Sequence, residues 1–201
     1  MPRSTDPKNL ERVLDAAAEL FLVEGYDAAT MQQLADKLGL HKSSLYHYVD
    51  GKEDLLQQLT SSAQAAGEAA LDEAEQAADD NAFLAALSLA VDQTLGDIGR
   101  VSLVLRQKPG TATGDAVVER RRSYDRRLSA LIEKAQQAGG VRGDIHPMLL
   151  ARLTLGMVSW LVEWYDPELS RFDPDVIREA VLAMVTSGVV VGGEVGVTEG
   201  A

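Results

Sequence analysis

The sequence contains no cysteine, and this absence excludes several kinds of chemistry. Without cysteine the chain has no disulfide framework, no thiolate metal site and no cysteine nucleophile. Histidine is scarce as well, with three residues. His41 and His47 are six positions apart, which is a poor spacing for one metal ion on a helix, and His146 precedes Pro147 as a helix cap. We therefore expect neither a metal nor a cofactor.

Long apolar runs and catalytic motifs are also missing. The chain has no run of 18 apolar residues, and its first residues are polar, unlike a signal peptide. We therefore expect a cytoplasmic protein without membrane contact. An all-helical enzyme would need a nucleophile–base pair or a metal cluster, and the sequence offers no motif of either kind. We do not expect an enzyme.

Positive charge is in short supply, with 19 Lys and Arg residues against 31 Asp and Glu residues and a net charge of −12. A basic domain is the usual footprint of nucleic-acid binding, so this balance argues weakly against that function. The argument loses force if positive charge is concentrated locally, where Arg3, Lys8, Lys42 and Lys52 can approach phosphates. Acidic residues elsewhere would then lower non-specific binding to DNA.

Helical periodicity runs through the whole chain. Its 201 residues and 46% hydrophobic content are enough for a sizeable core. No alternating strand pattern or internal repeat occurs, and apolar residues recur at spacings of three and four. We predict an all-α fold of nine helices, which cover 7–24, 30–38, 41–47, 52–78, 83–95, 98–107, 116–138, 147–165 and 174–191.

The most informative segment extends from Thr30 to Leu55. Thr30 and Gln33 form a capping-box pattern at the start of one helix, and Gly39 ends it where a left-handed backbone residue is needed. A short second helix over 41–47 carries small, hydroxylated and basic side chains. This is the layout of a helix-turn-helix, whose second helix lies in the DNA major groove.

The outward side chains of this segment are the predicted DNA-binding residues. Leu45 faces the core, which leaves its polar neighbours to meet solvent or DNA. We predict base or groove contacts for Lys42, Ser43 and His47. Phosphate contacts are predicted for Tyr46 and Lys52, beside helix N-terminal amides that also suit a phosphate. The full predicted set is Thr30, Lys42, Ser43, Ser44, Tyr46, His47 and Lys52.

At these residues the sequence resembles the tetracycline-repressor (TetR) family of bacterial transcription regulators. The resemblance covers residues 8–57 and departs from the family pattern at His41, Ser43 and Tyr48, which bears on base preference rather than on the fold. The matching residues are Thr30, Leu34-Ala35, Gly39-Leu40, Ser44, Leu45-Tyr46, Tyr48 and Lys52.

The resemblance implies the nine-helix TetR architecture. A three-helix DNA-binding domain is expected over residues 1–51, an effector-binding and dimerisation domain over 52–191, and a flexible tail over 192–201. The implied function is a dimeric transcriptional regulator, released as a repressor from a palindromic DNA operator by a small-molecule effector. The alternative is a helical carrier or scaffold without DNA binding. That alternative explains the acidity but not the hydroxylated and basic face of the second helix.

The last two predicted helices offer small and apolar surfaces that suit a homodimer. Two such helices from each subunit form a four-helix interface around a two-fold axis. We predict that Gly156, Val181 and Met184 lie in this interface. The other interpretation is that these residues belong to the core of a single subunit.

The predicted effector-binding residues are Arg121, Tyr124, Trp160 and Trp164. An arginine on an apolar helical stripe needs a carboxylate, a phosphate or a way out to solvent, so Arg121 either pairs with Asp92 or Glu163 or binds an anionic effector. The segment GMVSWLVEWYDP resembles the C-terminal region of TetR-type repressors of fatty-acid and sterol breakdown, which respond to acyl-CoA thioesters. The resemblance implies an acyl-CoA effector whose chain lies against the two tryptophans in an apolar cleft.

Overall fold

The computed structural model describes residues 7–77 and 82–189, and these residues form nine α-helices. The all-α prediction is therefore confirmed. Arg3, which was expected to approach a phosphate, and the predicted tail at 192–201 lie outside the described residues. The helices are α1 (Pro7–Glu24), α2 (Met31–Leu38), α3 (Lys42–Leu45), α4 (Lys52–Gln76), α5 (Ala82–Gly96), α6 (Ile98–Arg106), α7 (Ala112–Gln137), α8 (Pro147–Trp164) and α9 (Pro174–Val189).

Two helix boundaries differ from the prediction. Helix α7 begins at Ala112 rather than at residue 116, because the Thr111 hydroxyl accepts the Gly114 N–H at 3.0 Å and so caps the helix start. The sequence pattern around Gly114 had indicated a turn. Helix α3 is shorter than predicted, since its regular part ends at Leu45 and a turn continues the chain to Tyr48. Within the described ranges, no helix is both long and apolar enough to cross a membrane.

The chain divides into two compact units. One contains the chain up to Ala65 together with Asp97–Arg120, and the other contains Ala66–Gly96 together with the chain from Arg121. Helices α4 and α7 each contribute one part to each unit. The units therefore do not follow a single cut in the sequence, and the predicted division after residue 51 stays a prediction about function.

The first unit has a continuous apolar core. Buried side chains come from α1, α2, α3, α4 and α6, and this burial holds the two short helices in place. An ion-pair cluster joins α6 to α1: the Arg100 guanidinium, whose side chain is only 13% exposed, contacts Glu11, Asp15 at 2.6 Å and Asp97 at 3.4 Å. The main core residues are Val13, Leu14, Ala17, Phe21, Leu34, Ala35, Leu45, Val49, Leu55, Leu59 and Leu103.

In the second unit α5 packs against α8 and α9. Two arginines tie its helices together at the surface. Arg178 of α9 donates to Asp92 of α5 at 2.9 Å. Arg127 of α7 donates to Glu75 of α4 at 3.0 Å and also contacts Asp72. Pairs of this exposed kind contribute little stability individually, so apolar packing is the main force holding these helices together.

Candidate nucleic-acid interface

Helix α2 has a defined cap at each end, which sets the geometry of the turn that follows it. The Thr30 hydroxyl accepts the Gln33 N–H at 3.2 Å, and the Gln33 side-chain oxygen accepts the Thr30 N–H at 2.9 Å. The predicted capping box is confirmed. Gly39 has φ 66° and ψ 31°, the left-handed conformation that glycine adopts at least cost. The Leu40 N–H then bonds the Ala35 carbonyl at 2.9 Å and closes the helix end.

Helix α3 is anchored on one side and presents its other side to solvent. Leu45 and Val49, one helical turn apart, are completely buried in the core of the first unit. His41, Lys42, Ser43, Tyr46 and His47 are exposed, and Ser44 is half-buried. The predicted separation between a core-facing leucine and an outward polar face is therefore confirmed. DNA contact by these outward side chains stays a prediction.

Lys52 occupies a different environment from the one predicted. Its ammonium donates to the carbonyls of Tyr26 at 2.8 Å, Asp27 at 3.0 Å and Ala29 at 3.0 Å, and it lies 4.5 Å from the centre of the Tyr26 ring. An ammonium has three N–H donors, and the three carbonyls use all of them. The predicted phosphate contact would have to displace one of these bonds. The structure instead shows Lys52 holding the loop between α1 and α2.

Glu53 is a residue that the sequence pattern did not single out. One oxygen of its carboxylate accepts the Tyr26 hydroxyl at 2.8 Å, and the other accepts the hydroxyl of Thr113 in the first turn of α7. Burial, followed by the hydrogen bond to Glu53, raises the pKa of Tyr26 above its usual value, so this hydroxyl remains a donor. No sequence signal could have found this cluster, because its members are up to 87 positions apart.

Large apolar side chains cover the outward face of α8. Trp160 is 65% exposed and Trp164 is 45% exposed, and both share this face with Leu149, Leu153 and Gly156 at spacings of three and four. The predicted contact of the two tryptophans with an effector stays a prediction, and in a single subunit both side chains are exposed. The buried face of α8 is formed by Leu150, Ala151, Thr154, Val158 and Leu161.

The three predicted interface residues separate into two groups. Met184 is 65% exposed, and Gly156 is exposed with open space around its α-carbon. Val181 is only 9% exposed and belongs to the buried face of α9 with Ile177 and Val185. The interface position of Val181 stays a prediction, and its side chain is already largely buried within its own subunit.

Arg121 and Tyr124 lie on α7 and are both half-buried. Burial is the main cause that raises the pKa of Tyr124 to about 12. Asp92, one of the two predicted partners of Arg121, pairs with Arg178 instead. The predicted role of Arg121 and Tyr124 in effector binding stays a prediction.

A polar groove lies between α4 and α7 in the first unit. Its volume is about 120 Å³, and hydroxyl, amide and guanidinium groups line part of it beside apolar side chains. The Gln64 side chain spans the groove and donates to the Val117 carbonyl at 2.9 Å. The sequence pattern did not indicate this groove, because the pairing of these two helix faces cannot be read from periodicity. Its polar lining consists of Gln57, Thr60, Ser61, Gln64, Thr113 and Arg120.

The capped helix, the left-handed turn and the anchored short helix with an outward polar face define a helix-turn-helix protein. The chain matches the family model for bacterial regulatory proteins of the tetR family over residues 13–59. It matches the model for the tetracyclin repressor-like C-terminal domain over residues 85–189. The chain therefore belongs to the tetR family.

Similar proteins agree with this assignment. The chain is 45% identical over 51 residues to the class D tetracycline repressor protein of Escherichia coli, and the match covers 25% of this chain and 23% of that protein. The curated relatives are thus matched over 23% to 40% of their length. A tetR-family structure from Streptomyces coelicolor A3 has a TM-score of 0.79 at 34% identity and covers 90% of both chains.

A second similar structure is AibR in complex with isovaleryl coenzyme A and operator DNA. Its TM-score is 0.76 at 24% identity, and the match covers 87% of this chain and 96% of that one. At this level of identity the likeness concerns the fold.

Proposed function

We propose that this protein is a homodimeric transcriptional repressor that binds a palindromic DNA operator and is released by a small-molecule effector. One observation carries the DNA-binding part: α3 is anchored by fully buried Leu45 and Val49, while its basic and hydroxylated side chains are exposed. A rigid helix with an outward polar face is the geometry that reads a major groove.

Each exposed side chain of the interface has a proposed role. Lys42, Ser43 and His47 contact bases or the groove walls, because they are exposed on α3 and on the turn that follows it. Tyr46, which is 45% exposed, donates to a phosphate. Thr30 and Ser44 stay in the proposed set through their positions at the edge of the same surface.

The homodimer forms through the outward faces of α8 and α9. Leu149, Leu153, Trp160 and Trp164 expose a continuous apolar stripe on α8, and Val176 and Met184 extend it on α9. Neighbouring exposed apolar side chains of this kind are typical of interaction sites. A second copy of the chain is the proposed occupant, because two helices from each subunit build a four-helix interface around a two-fold axis. Trp160 and Trp164 are therefore proposed as dimer-interface residues rather than as effector-binding residues.

An acyl-CoA thioester is the proposed effector. The C-terminal resemblance noted in the sequence supports this class, as does the shared fold with AibR, which was solved with isovaleryl coenzyme A and operator DNA. Arg121 is the first candidate for contact with the CoA phosphates, and Tyr124 is its neighbour in the proposed site. The effector can shift the equilibrium only by its difference in affinity for the bound and released states.

Selection of binding sites from a pool of random duplexes tests the DNA-binding proposal. We expect the wild-type chain to enrich a rough palindrome whose half-sites lie about one helical turn, ~34 Å, apart. No enrichment would contradict the proposal and favour a helical carrier. A gel shift on the selected operator then tests the effector: a long-chain acyl-CoA should release the DNA, whereas free CoA should not. Arg121→Ala should weaken that release while operator affinity stays intact.

If acyl-CoAs leave the gel shift unchanged while an uncharged lipophile abolishes it, the acyl-CoA proposal is wrong.

A further inference from the structure

The Glu53 carboxylate connects two segments that are far apart in the sequence. One oxygen accepts a hydrogen bond from Tyr26, between α1 and α2, and the other accepts one from Thr113, in the first turn of α7. Thr113 is 6% exposed, so most of its surface is removed from bulk solvent. The two hydroxyls and the carboxylate therefore form a bridge from α7 through α4 to the loop before α2.

The Tyr26 end of this bridge is held from several sides. Its ring packs edge-on against Phe21 with centres 5.2 Å apart, and the Lys52 ammonium lies over its face. The same ammonium bonds the carbonyls of Tyr26, Asp27 and Ala29. Such contacts restrict the loop from residue 26 to residue 29 to one arrangement relative to the start of α4.

This loop leads directly into the cap of α2. Thr30 follows Ala29 and forms the capping box with Gln33, and α2 passes through the Gly39 turn into α3. A shift of the loop therefore changes where α2 begins. The position of α3 changes with it, because α3 is joined to α2 by a closed turn and packs in the same core.

The Thr113 end belongs to a long helix. Helix α7 continues without interruption from Ala112 to Gln137 and carries the proposed effector residues Arg121 and Tyr124. Thr113 and Arg121 are about two helical turns apart along this helix. A movement of the first turn of α7 acts directly on the bond between Thr113 and Glu53.

We propose that Glu53 and Thr113 are positioning residues that couple the first turn of α7 to the orientation of the DNA-reading helix. The inference rests on the proposed function as a DNA-binding regulator, and it deepens that function by naming the bond through which α7 acts. In this scheme Thr113 makes no DNA contact. Its hydroxyl affects operator binding through Glu53, Tyr26 and the loop that begins α2.

Fluorescence anisotropy with the operator selected by the wild-type chain tests the coupling. Thr113→Val removes the hydroxyl and keeps the shape, and Thr113→Ser keeps the hydroxyl as the matched control. We expect Thr113→Val to weaken operator binding about tenfold, the scale of one lost hydrogen bond. Thr113→Ser should stay within about twofold, since its hydroxyl still reaches Glu53. Affinity for random duplexes and the salt dependence should not change, because no phosphate contact is lost.

The companion variant Tyr26→Phe removes the other hydroxyl and keeps the ring. Because both bonds act through Glu53, Thr113→Val and Tyr26→Phe combined should weaken operator binding by much less than the product of the single effects. All variants are compared at a temperature at which circular dichroism shows them folded. Wild-type operator affinity in folded Thr113→Val would overturn the inference, as would equal losses on operator and random DNA.

A wild-type chain that selects no operator would instead overturn the proposed function. The hydrogen-bonded bridge is then tested by the same double-mutant cycle measured in chemical denaturation. Additive effects of the two single substitutions on the free energy of unfolding would contradict it.

Discussion

The outward faces of α3 and α8 are both exposed, yet their chemistry is opposite. Helix α3 presents Lys42, Ser43 and His47, whereas α8 presents Leu153 and Trp160 among other apolar side chains. Water solvates the first surface at no cost, and a phosphate or base edge can replace that water with hydrogen bonds. The second surface gains free energy when it leaves water, so it favours contact with another apolar surface. Exposure in a single subunit therefore indicates two different kinds of partner.

The same difference explains why the exposure of one set of predicted residues followed from the sequence, while the exposure of the other set did not. Polar side chains on a short helix after a capped turn have few alternatives to a solvent-facing position. Apolar side chains on a long helix can face a core, a cleft or another subunit, and periodicity does not distinguish these environments. For this reason the exposure of Trp160 and the burial of Val181 could not be read from the sequence.

The largest effect is expected from a charge placed on the buried face of α9, compared with a charge placed on its outer face. Val181→Glu places a charge among buried side chains, and we expect it to lower the free energy of unfolding by about 3 kcal/mol or more. Met184→Glu, three residues further along α9, changes an exposed position and should leave the subunit folded but weaken the dimer. Thermal denaturation and sedimentation, measured on both variants, separate the two outcomes. Equal loss of stability in both would contradict the assignment of two faces.

The apolar face of α8 gives the next effect. Trp160→Glu should produce folded monomers, because a charge in an apolar interface is not solvated. Operator affinity should then fall by about 100-fold, since two linked half-site contacts are lost to separate subunits. Lys134→Glu on the polar surface of α7 is the control and should remain dimeric. Sedimentation equilibrium measures the assembly. A dimer that persists in Trp160→Glu would place the interface elsewhere.

The polar face of α3 is expected to control sequence preference. Lys42→Ala and His47→Ala should each reduce discrimination between operator variants by about 1–3 kcal/mol, while affinity for random duplexes changes less. Tyr46→Phe should instead weaken binding to all sequences alike, because a phosphate contact carries no sequence information. Competition binding with a panel of operator variants measures these effects. Unchanged discrimination in both alanine variants would remove α3 as the reading helix.

Substitution of Lys52 tests whether the proposed DNA-binding surface extends onto α4. Its three bonds to loop carbonyls lead us to expect that Lys52→Ala lowers the melting temperature and operator affinity but leaves the salt slope unchanged. A direct phosphate contact, as the sequence pattern indicates, would lower the slope by ~1. Lys42→Ala, measured over the same salt range, serves as the comparison. A lower slope for Lys52→Ala would restore its predicted phosphate contact.

The smallest expected effect concerns the charged contact between α1 and α6. Burial is the main cause that raises the pKa of Asp97, and Asp15 and Glu11 add to it, while Arg100 opposes the shift. Because the pKa of Asp97 is raised in the folded chain, ionisation of Asp97 lowers the free energy of unfolding as the pH rises through that pKa. Below the ordinary pKa of an aspartate, the carboxyl is protonated in both the folded and the unfolded chain, and this loss is absent. Asp97→Asn keeps a cap acceptor, so relative to the wild-type chain its free energy of unfolding should be higher at pH 7 than at acidic pH. Urea denaturation at both pH values measures the difference, and an opposite sign would contradict burial as the main cause of the shift.

Local sequence patterns predicted much of the fold and part of the candidate DNA-binding site. The capping box at Thr30, the left-handed turn at Gly39 and the buried Leu45 all follow from short-range rules of helix ends and apolar spacing. These rules involve residues within one or two helical turns, which is the range over which a sequence pattern is reliable. The predicted start of α7 was wrong, because the Thr111 cap outweighed the tendency of Gly114 to form a turn.

Long-range contacts account for what the patterns missed. Lys52, Tyr26, Glu53 and Thr113 meet only because α4 crosses the loop before α2 and the first turn of α7 within one compact unit. No spacing rule connects residues so distant in the chain, and each of these residue types is common on helix surfaces.

By itself, the sequence determined that this protein is helical, that it carries a helix-turn-helix near Thr30–Leu55, and that it belongs to the tetR family. Helix periodicity, caps and glycine turns are local, so their free energies act on neighbouring residues. Only the tertiary structure decided which apolar faces are buried, turned Trp160 outward and Val181 inward, and engaged Lys52 with backbone carbonyls. Those outcomes depend on which helix packs against which, because burial and hydrogen bonding are properties of the assembled core rather than of any one segment.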